Sequence, residues 1–177
     1  GHTLEGPTVV SGGESIEIQL QMGGGGFLQQ AHHGATAAAL KQVPLCEYFP
    51  DQALLTNCVG ALNIVRAIRE NDLPVETVVG VSTDKACKPV NVMGMTKSLQ
   101  ERIFLSANIL NRSTRFICVR YGNVLASRGS VIPLFHDQIK RGGPVTVTVP
   151  EMTRFLLSLD QAVDTVMAAV ENARRGE

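Results

Sequence analysis

Val75-Glu76-Thr77-Val78-Val79-Gly80-Val81 runs directly into Ser82-Thr83-Asp84-Lys85. The first part is rich in β-branched, apolar residues, the composition of a strand covered on both faces. The second part carries hydroxyl, carboxylate and amine groups together. In a parallel sheet, ligands bind beyond the carboxyl ends of the strands. Whether this strand sits in such a sheet depends on what flanks it.

Helical periodicity lies on both sides. From Asp51 to Glu70, Leu55, Val59, Leu62, Val65 and Ile68 recur at three- and four-residue steps, and Asn71, Asp72 and Pro74 end the pattern. Asn91 to Leu110 reads as the next helix, Phe116 to Val124 as another apolar strand and Val131 to Lys140 as a short helix. Val145 to Val149 alternates Val and Thr, as a more exposed strand would. A last helix starts near Ser158, where Ser158 and Gln161 match a capping box. Its inner face is Leu159, Ala162, Val163, Val166, Met167 and Val170, and it ends near Arg174 and Arg175 with Gly176 behind them. Upstream, Ala37–Leu40 reads as the end of a short strand. Strand–helix–strand order with buried strands predicts an α/β fold with a parallel sheet and right-handed crossovers.

Residues 1–36 differ from the rest. Ile16, Ile18, Leu20 and Met22 alternate with polar residues in one half-buried strand, and Gly23 to Gly26 follow. That glycine run lacks the spacing of a dinucleotide loop, and no acidic residue follows at about 20 positions. It reads as a flexible connector.

Sixteen basic and sixteen acidic side chains cancel, so the chain has no electrostatic footprint for nucleic acid. No apolar run approaches the roughly 20 residues of a membrane span, which points to a cytoplasmic protein. Cys46, Cys58, Cys87 and Cys118 form no CxxC pair and read as reduced thiols, and the adjacent His32 and His33 make a poor metal pair. No metal site is expected.

Two stretches carry chemistry. Thr83, Asp84 and Lys85 stand at a strand's carboxyl end, and Met93 and Lys97 share a face of the following helix. A helix packed beside the strand would point Lys97 at the Thr83–Lys85 group. An acid, a base and an orienting cation suit proton transfer on a sugar; a surface turn with a chance Asp–Lys pair has the same residue types. Arg120-Tyr121-Gly122-Asn123-Val124 with Ser127-Arg128-Gly129-Ser130, and Met152-Thr153-Arg154-Phe155, offer guanidinium groups for a diphosphate. Taken singly, each arginine is equally a solvated surface charge.

Together, Ala37-Ala38-Ala39-Leu40-Lys41-Gln42-Val43-Pro44, Thr56-Asn57, Ser82-Thr83-Asp84-Lys85 with Pro89 and Lys97, and the two arginine-bearing stretches resemble the extended short-chain dehydrogenase/reductases. More narrowly they resemble the polysaccharide-biosynthesis branch of UDP-N-acetylglucosamine 4,6-dehydratases and related epimerases. The resemblance implies a partial Rossmann-type parallel sheet with flanking helices that lacks the usual N-terminal dinucleotide-binding strands. Residues 1–36 would be an atypical glycine-rich segment, and 37–177 the C-terminal half of a nucleotide-sugar domain. It implies a UDP-N-acetylhexosamine substrate, NAD or NADP as cofactor, and an internal redox cycle at C4 with loss of water across C5 and C6. Lys85 matches the base at C5, Asp84 the acid at the C6 hydroxyl, and Thr83 the hydroxyl on the C4 oxygen. Lys97, Asn57, Ser82 and Tyr121 match cofactor positions; Lys41, Asn123, Arg128 and Arg154 match substrate positions.

Two departures stand out. Met93-Gly94-Met95-Thr96-Lys97 occupies the place of the usual YxxxK pair, and methionine accepts no proton. Long, membrane-tethered relatives carry methionine there as well. The dinucleotide-binding start of relatives is not recognisable in residues 1–36, which leaves a sheet edge and apolar surface open and predicts self-association as a homo-oligomer. A UDP-sugar 4-epimerase, and a non-catalytic homologue that only binds UDP-sugar or oligomerises, are the alternative readings.

Overall fold

The computed structural model describes residues 33–36, 39–125, 131–147, 149 and 151–177. The Ile16–Met22 strand, the Gly23–Gly26 connector, Ala37–Ala38 and Ser127–Ser130 with Arg128 lie outside the described residues.

A parallel sheet of order β1-β2-β3 organises the chain, from His33–Thr36 (β1), Thr77–Thr83 (β2) and Arg115–Tyr121 (β3). Gly34 pairs with Val78, and Val78 with Phe116; the β2–β3 ladder runs on to Thr83 opposite Tyr121. Alternation along β2 sends its residues to opposite faces. On one face Val78 packs with Phe116 against the helices Gly60–Glu70 (α3) and Val92–Leu110 (α4), through Ile64, Ile68, Phe104 and Ala107. On the other, Val79, Ile117 and Val119 pack against Val166, Ala169 and Val170 of the last helix, Leu159–Asn172 (α6). The result is three layers, helix–sheet–helix, as strand–helix–strand order predicts.

The remaining elements are short. Val43–Tyr48 (α1) and Pro50–Leu54 (α2) precede α3, and between α2 and α3 the helix widens into a π turn over Leu55–Val59. Val131–Lys140 is α5, and Asn123–Val124 (β4) pairs in parallel with Leu156–Leu157 (β5). Ser158 and Gln161 form the capping box at the start of α6. At its end the Arg115 guanidinium donates to the carbonyls of Val170 and Ala173, which complements the negative pole of the helix.

Several sequence expectations are corrected. Among the described residues the first strand is His33–Thr36, and Ala39–Leu40 lie outside it, because the Leu40 N–H and C=O bond the Asn57 side chain at 3.0 and 3.2 Å instead of a neighbouring strand. Among the described residues of 145–149 there is no strand. The Thr146 N–H goes to Gln138 Oε1 of α5 at 3.1 Å, so it is spent on a side chain. The strand expected over Phe116–Val124 breaks at Gly122, where a Cβ would fall on the Phe155 carbonyl oxygen. On α6, Ala162, Val166, Ala169 and Val170 turn inward, whereas Leu159, Val163 and Met167 are exposed. Among the described residues, no helix is long and apolar enough to cross a membrane.

Candidate active site

Helix α4 meets the carboxyl end of β2 at three points, and these contacts build the site. Asn91 caps α4, its Oδ1 accepting from the Gly94 N–H at 2.8 Å. Gly94 then lies against the turn Asp84–Ala86: a Cβ there would overlap the Lys85 carbonyl oxygen. One helical turn on, Lys97 Nζ donates to the Val81 carbonyl and to Gln100 Oε1, both at 2.7 Å. A further turn along, Glu101 accepts two hydrogen bonds from Arg120 of β3, Nε to Oε1 at 2.8 Å and the terminal nitrogen to Oε2 at 2.6 Å. Arg120 is the register partner of Ser82, so the bidentate pair closes onto the end of β2.

Held this way, Thr83, Asp84 and Lys85 form one hydrogen-bonded group. Thr83 Oγ1 donates to Asp84 Oδ1 at 2.8 Å, and Lys85 Nζ donates to the same oxygen at 3.0 Å. Both charged side chains are a third exposed, at 33% each, so the pair is supported from below and open to a ligand above. Burial pushes the Asp84 carboxyl up, but the hydrogen bonds from Lys85 and Thr83 outweigh it and hold Asp84 below its usual range. Tyr121, opposite Thr83 in the ladder, is half-buried and its phenol is raised by burial.

Other expected site residues lie elsewhere. Lys97 is not aimed at the Thr83–Lys85 group; it is 5% exposed and engaged with Val81 and Gln100. Burial brings its ammonium down to about 8, with Cys118, Glu101 and Cys58 acting in the opposite direction. Met93, 4% exposed, packs with Cys46 and Ala53, so the position the resemblance gives to a tyrosine hydroxyl is part of an apolar cluster. Asn57 is 1% exposed and its amide is consumed by Leu40 and by Thr96 Oγ1 at 2.9 Å. Ser82 is buried beside Glu101. Asn57 therefore presents no free group to a cofactor, whereas Ser82 Oγ is sealed from solvent without a partner among the described residues. Lys97 keeps one ammonium proton beyond its two bonds, and Tyr121 stands at the carboxyl edge; these two fit a nicotinamide riboside.

The stretch to which the resemblance assigns the nucleotide is joined through backbone. The Asn123 N–H donates to the Phe155 carbonyl at 2.7 Å, which brings the Arg120–Val124 stretch beside Met152–Phe155. Asn123 Oδ1 is sealed from solvent without a partner among the described residues, an unspent acceptor on this edge. Arg154 is exposed and bonds only within its own segment, to the Thr153 carbonyl at 2.9 Å and the Met152 thioether. Lys41 is exposed on the loop that follows β1.

Gly94, Gln100, Glu101 and Gly122 were not singled out by sequence reasoning. A glycine in the first turn of a helix, and an acid four residues after Lys97, are the signals that point to Gly94 and Glu101.

A parallel α/β sheet with the Thr83–Asp84–Lys85 group at the carboxyl end of its central strand is part of the Rossmann-like fold of the extended short-chain dehydrogenase/reductases. Residues 28–177 match the family described as polysaccharide biosynthesis protein, and the chain belongs to that family. Among its relatives is an uncharacterized membrane protein of Methanocaldococcus jannaschii, 52% identical over 143 residues, 80% of this chain and 42% of that one. A UDP-glucose 4-epimerase of Rickettsia canadensis is 49% identical over 156 residues, 85% of this chain and 45% of the relative. The chain thus spans less than half the length of these relatives. The X-ray structure of Pen from Bacillus thuringiensis superposes with a TM-score of 0.78 at 40% identity, covering 84% of this chain and 47% of that one. A dTDP-glucose 4,6-dehydratase from Streptomyces venezuelae with NAD bound shares the fold, with a TM-score of 0.75 at 17% identity over 85% of this chain and 51% of that one.

Proposed function

We propose that this chain carries the acid–base and sugar-nucleotide machinery of a UDP-N-acetylhexosamine 4,6-dehydratase acting in surface polysaccharide biosynthesis. The observation that carries this reading is the Thr83–Asp84–Lys85 group, hydrogen-bonded through one carboxylate oxygen at the carboxyl end of β2.

Once C4 of the sugar carries a carbonyl, the C5–H bond is acidified and Lys85 removes its proton. The C–H electron pair becomes the C5–C6 double bond, the C6–O bond breaks, and Asp84 protonates the departing oxygen to water. The elimination leaves an ammonium and a carboxylate, the ion pair found 3.0 Å apart. Before the elimination the shared proton sits on Asp84, reached along the same hydrogen bond. Thr83 holds the C4 oxygen. A bound nicotinamide supplies a reversible hydride acceptor for C4, and Lys97 and Tyr121 are the residues that would hold it. Asn123 and Arg154, brought together by the β4–β5 pairing, with Arg128 and Lys41, bind the UDP part. Exposed Met95 and Leu99, four apart on α4, support self-association. The cysteines among the described residues are all free thiols, which supports a cytoplasmic site.

A 4-epimerase is the second reading, supported by the names of the Rickettsia relatives. An epimerase needs no acid at C6 and no base at C5, so the Asp84–Lys85 pair favours dehydration. Incubation with UDP-N-acetylglucosamine and NAD+, followed by mass spectrometry, separates them. Loss of one water, abolished in Lys85→Ala by a factor of about 10²–10⁴, is the expected result. A product of unchanged mass inverted at C4 establishes the epimerase instead. UDP binding without turnover leaves the non-catalytic reading.

A further inference from the structure

Lys97 is a buried cation whose charge is not secured by its own hydrogen bonds, since the Val81 carbonyl and Gln100 Oε1 are both neutral acceptors. Burial alone favours the neutral amine. Three groups that can carry negative charge face it: Cys58 from the π turn, Cys118 from β3 and Glu101 from the next turn of α4. Burial pushes both thiols up, Cys118 to about 12, so neither is a thiolate near neutral pH. Glu101 is different. Burial raises its carboxyl, but the two hydrogen bonds from Arg120 and the charges of Arg120 and Lys97 prevail and hold it below its usual range. It is therefore the anion beside Lys97 among the described residues. Its carboxylate is 9% exposed and fixed by both nitrogens of the Arg120 fork, at 2.8 and 2.6 Å.

The placement matters as much as the charge. Lys97 and Glu101 are one turn apart on the same face of α4. Lys97 grips Val81 directly, and Glu101 grips Arg120, which pairs in register with Ser82. The first contact falls on β2 at Val81, and the second falls on β3 at the residue opposite Ser82, the next position before Thr83. A change in Lys97 is thus felt at the acid–base turn.

We propose that Glu101, held by Arg120, is the positioning residue that keeps Lys97 charged and seated under β2, and so sets the upper pH limit of the reaction at the Thr83–Asp84–Lys85 site. The proposal rests on the functional reading above for its link to turnover, whereas its electrostatic part stands on the chain alone. Arg120 has an opposite influence on Lys97, because it is a cation that attenuates the Glu101 charge.

The test compares Glu101→Gln with Arg120→Gln. Lys97 is titrated by NMR of isotope-labelled lysine side chains in the 177-residue chain, and the pH–rate profile is recorded in a preparation that turns over. Glu101→Gln is expected to lower the Lys97 titration by about one pH unit or more. Arg120→Gln leaves the carboxylate in place and removes the opposing cation, so the titration should hold or rise. The alkaline limb of the rate profile should move down with Glu101→Gln by the same interval. An unshifted titration in Glu101→Gln, or an equal downward shift in both variants, overturns the proposal. A limb that stays while the titration moves overturns the claim that Lys97 limits the reaction. If Glu101→Gln does not fold, a downward shift in Arg120→Gln is itself contrary to the proposal and an upward one supports it. Absence of turnover even in the unsubstituted protein condemns the functional reading alone, and the titration still decides the electrostatics.

Discussion

The two halves of the site are held by different means. Where α4 meets the end of β2, buried side chains do the work: Lys97 on Val81, Glu101 on Arg120, and Gly94 pressed against the Lys85 carbonyl. Where Asn123 meets Phe155, the contact is a backbone hydrogen bond and a two-residue parallel pairing, and Arg154 and Phe155 stay exposed. The half that holds Thr83, Asp84 and Lys85 is therefore preorganised by packing, which is what the proposed proton transfer requires of it. The half proposed to take the nucleotide presents the exposed Arg154 guanidinium, bonded to Thr153 and Met152 of its own segment. Substitutions in the first half should disturb structure and chemistry together; those in the second should change binding alone.

Gly94→Ala is the largest test of that contrast. Its Cβ would overlap the Lys85 carbonyl oxygen, with Pro89 Cβ also only 3.2 Å away, so the turn or the helix must shift. Turnover should fall by about 10²-fold, the order expected for a displacement of about 1 Å at reacting groups. Overpacking should cost about 1–3 kcal/mol in urea unfolding. Near-native stability together with near-native turnover would show that the acid–base half is as adaptable as the other, and the contrast would fail.

Arg154→Ala probes the open half and should act more weakly. The side chain bonds only to its own neighbours Thr153 and Met152, so unfolding free energy should change by no more than about 0.5 kcal/mol. Loss of one charge-assisted contact to a phosphate should weaken UDP binding by roughly tenfold or somewhat more, measured by calorimetry. A fall in stability comparable to that of Gly94→Ala would mean that Arg154 is a structural residue.

The same contrast explains what was legible in the sequence. Local signals carried far. The Ser158–Gln161 capping box, the helix that follows Asn91 and the apolar strand leading into Thr83 depend on residues within a few positions of one another, and all are present. The grouping of Thr83, Asp84 and Lys85 was legible as well, since the three are adjacent. Partners distant in sequence were not. Asn57 takes the Leu40 backbone out of any strand across 17 residues, and Glu101 finds Arg120 across 19. Lys97 shares a helical face with Met93, yet one enters an apolar cluster and the other a polar network. Periodicity states which face a residue is on, whereas the neighbour waiting there is set by the whole fold. The exposed stripe of Leu159, Val163 and Met167 shows the same limit: α6 is apolar over a wider arc than the sheet covers.

The smallest effect expected is in the pH dependence of stability, and it belongs to the buried half alone. The Lys97 ammonium is brought from 10.5 down to about 8 by burial. Between pH 8 and 9 the folded chain has largely released this proton while the unfolded chain still holds it. The unfolded state therefore binds more protons there, and unfolding free energy rises with pH. The rise should total about 1 kcal/mol, at no more than about 1.4 kcal/mol per pH unit. From about pH 8 the buried thiols act in the opposite sense and take back part of this Lys97 contribution, because Cys118, Cys58 and Cys46 are raised in the fold and lose their protons first in the unfolded chain. Stability should consequently climb from pH 7 to 9 and then flatten. Urea midpoints across this range check it: Lys97→Met should remove the climb and keep the thiol-driven decline, while Arg154→Ala should leave the whole curve in place. A climb that survives Lys97→Met would mean that the proton released on that interval belongs to another group, and that Lys97 is less deeply committed to the β2 contact than its two 2.7 Å hydrogen bonds indicate.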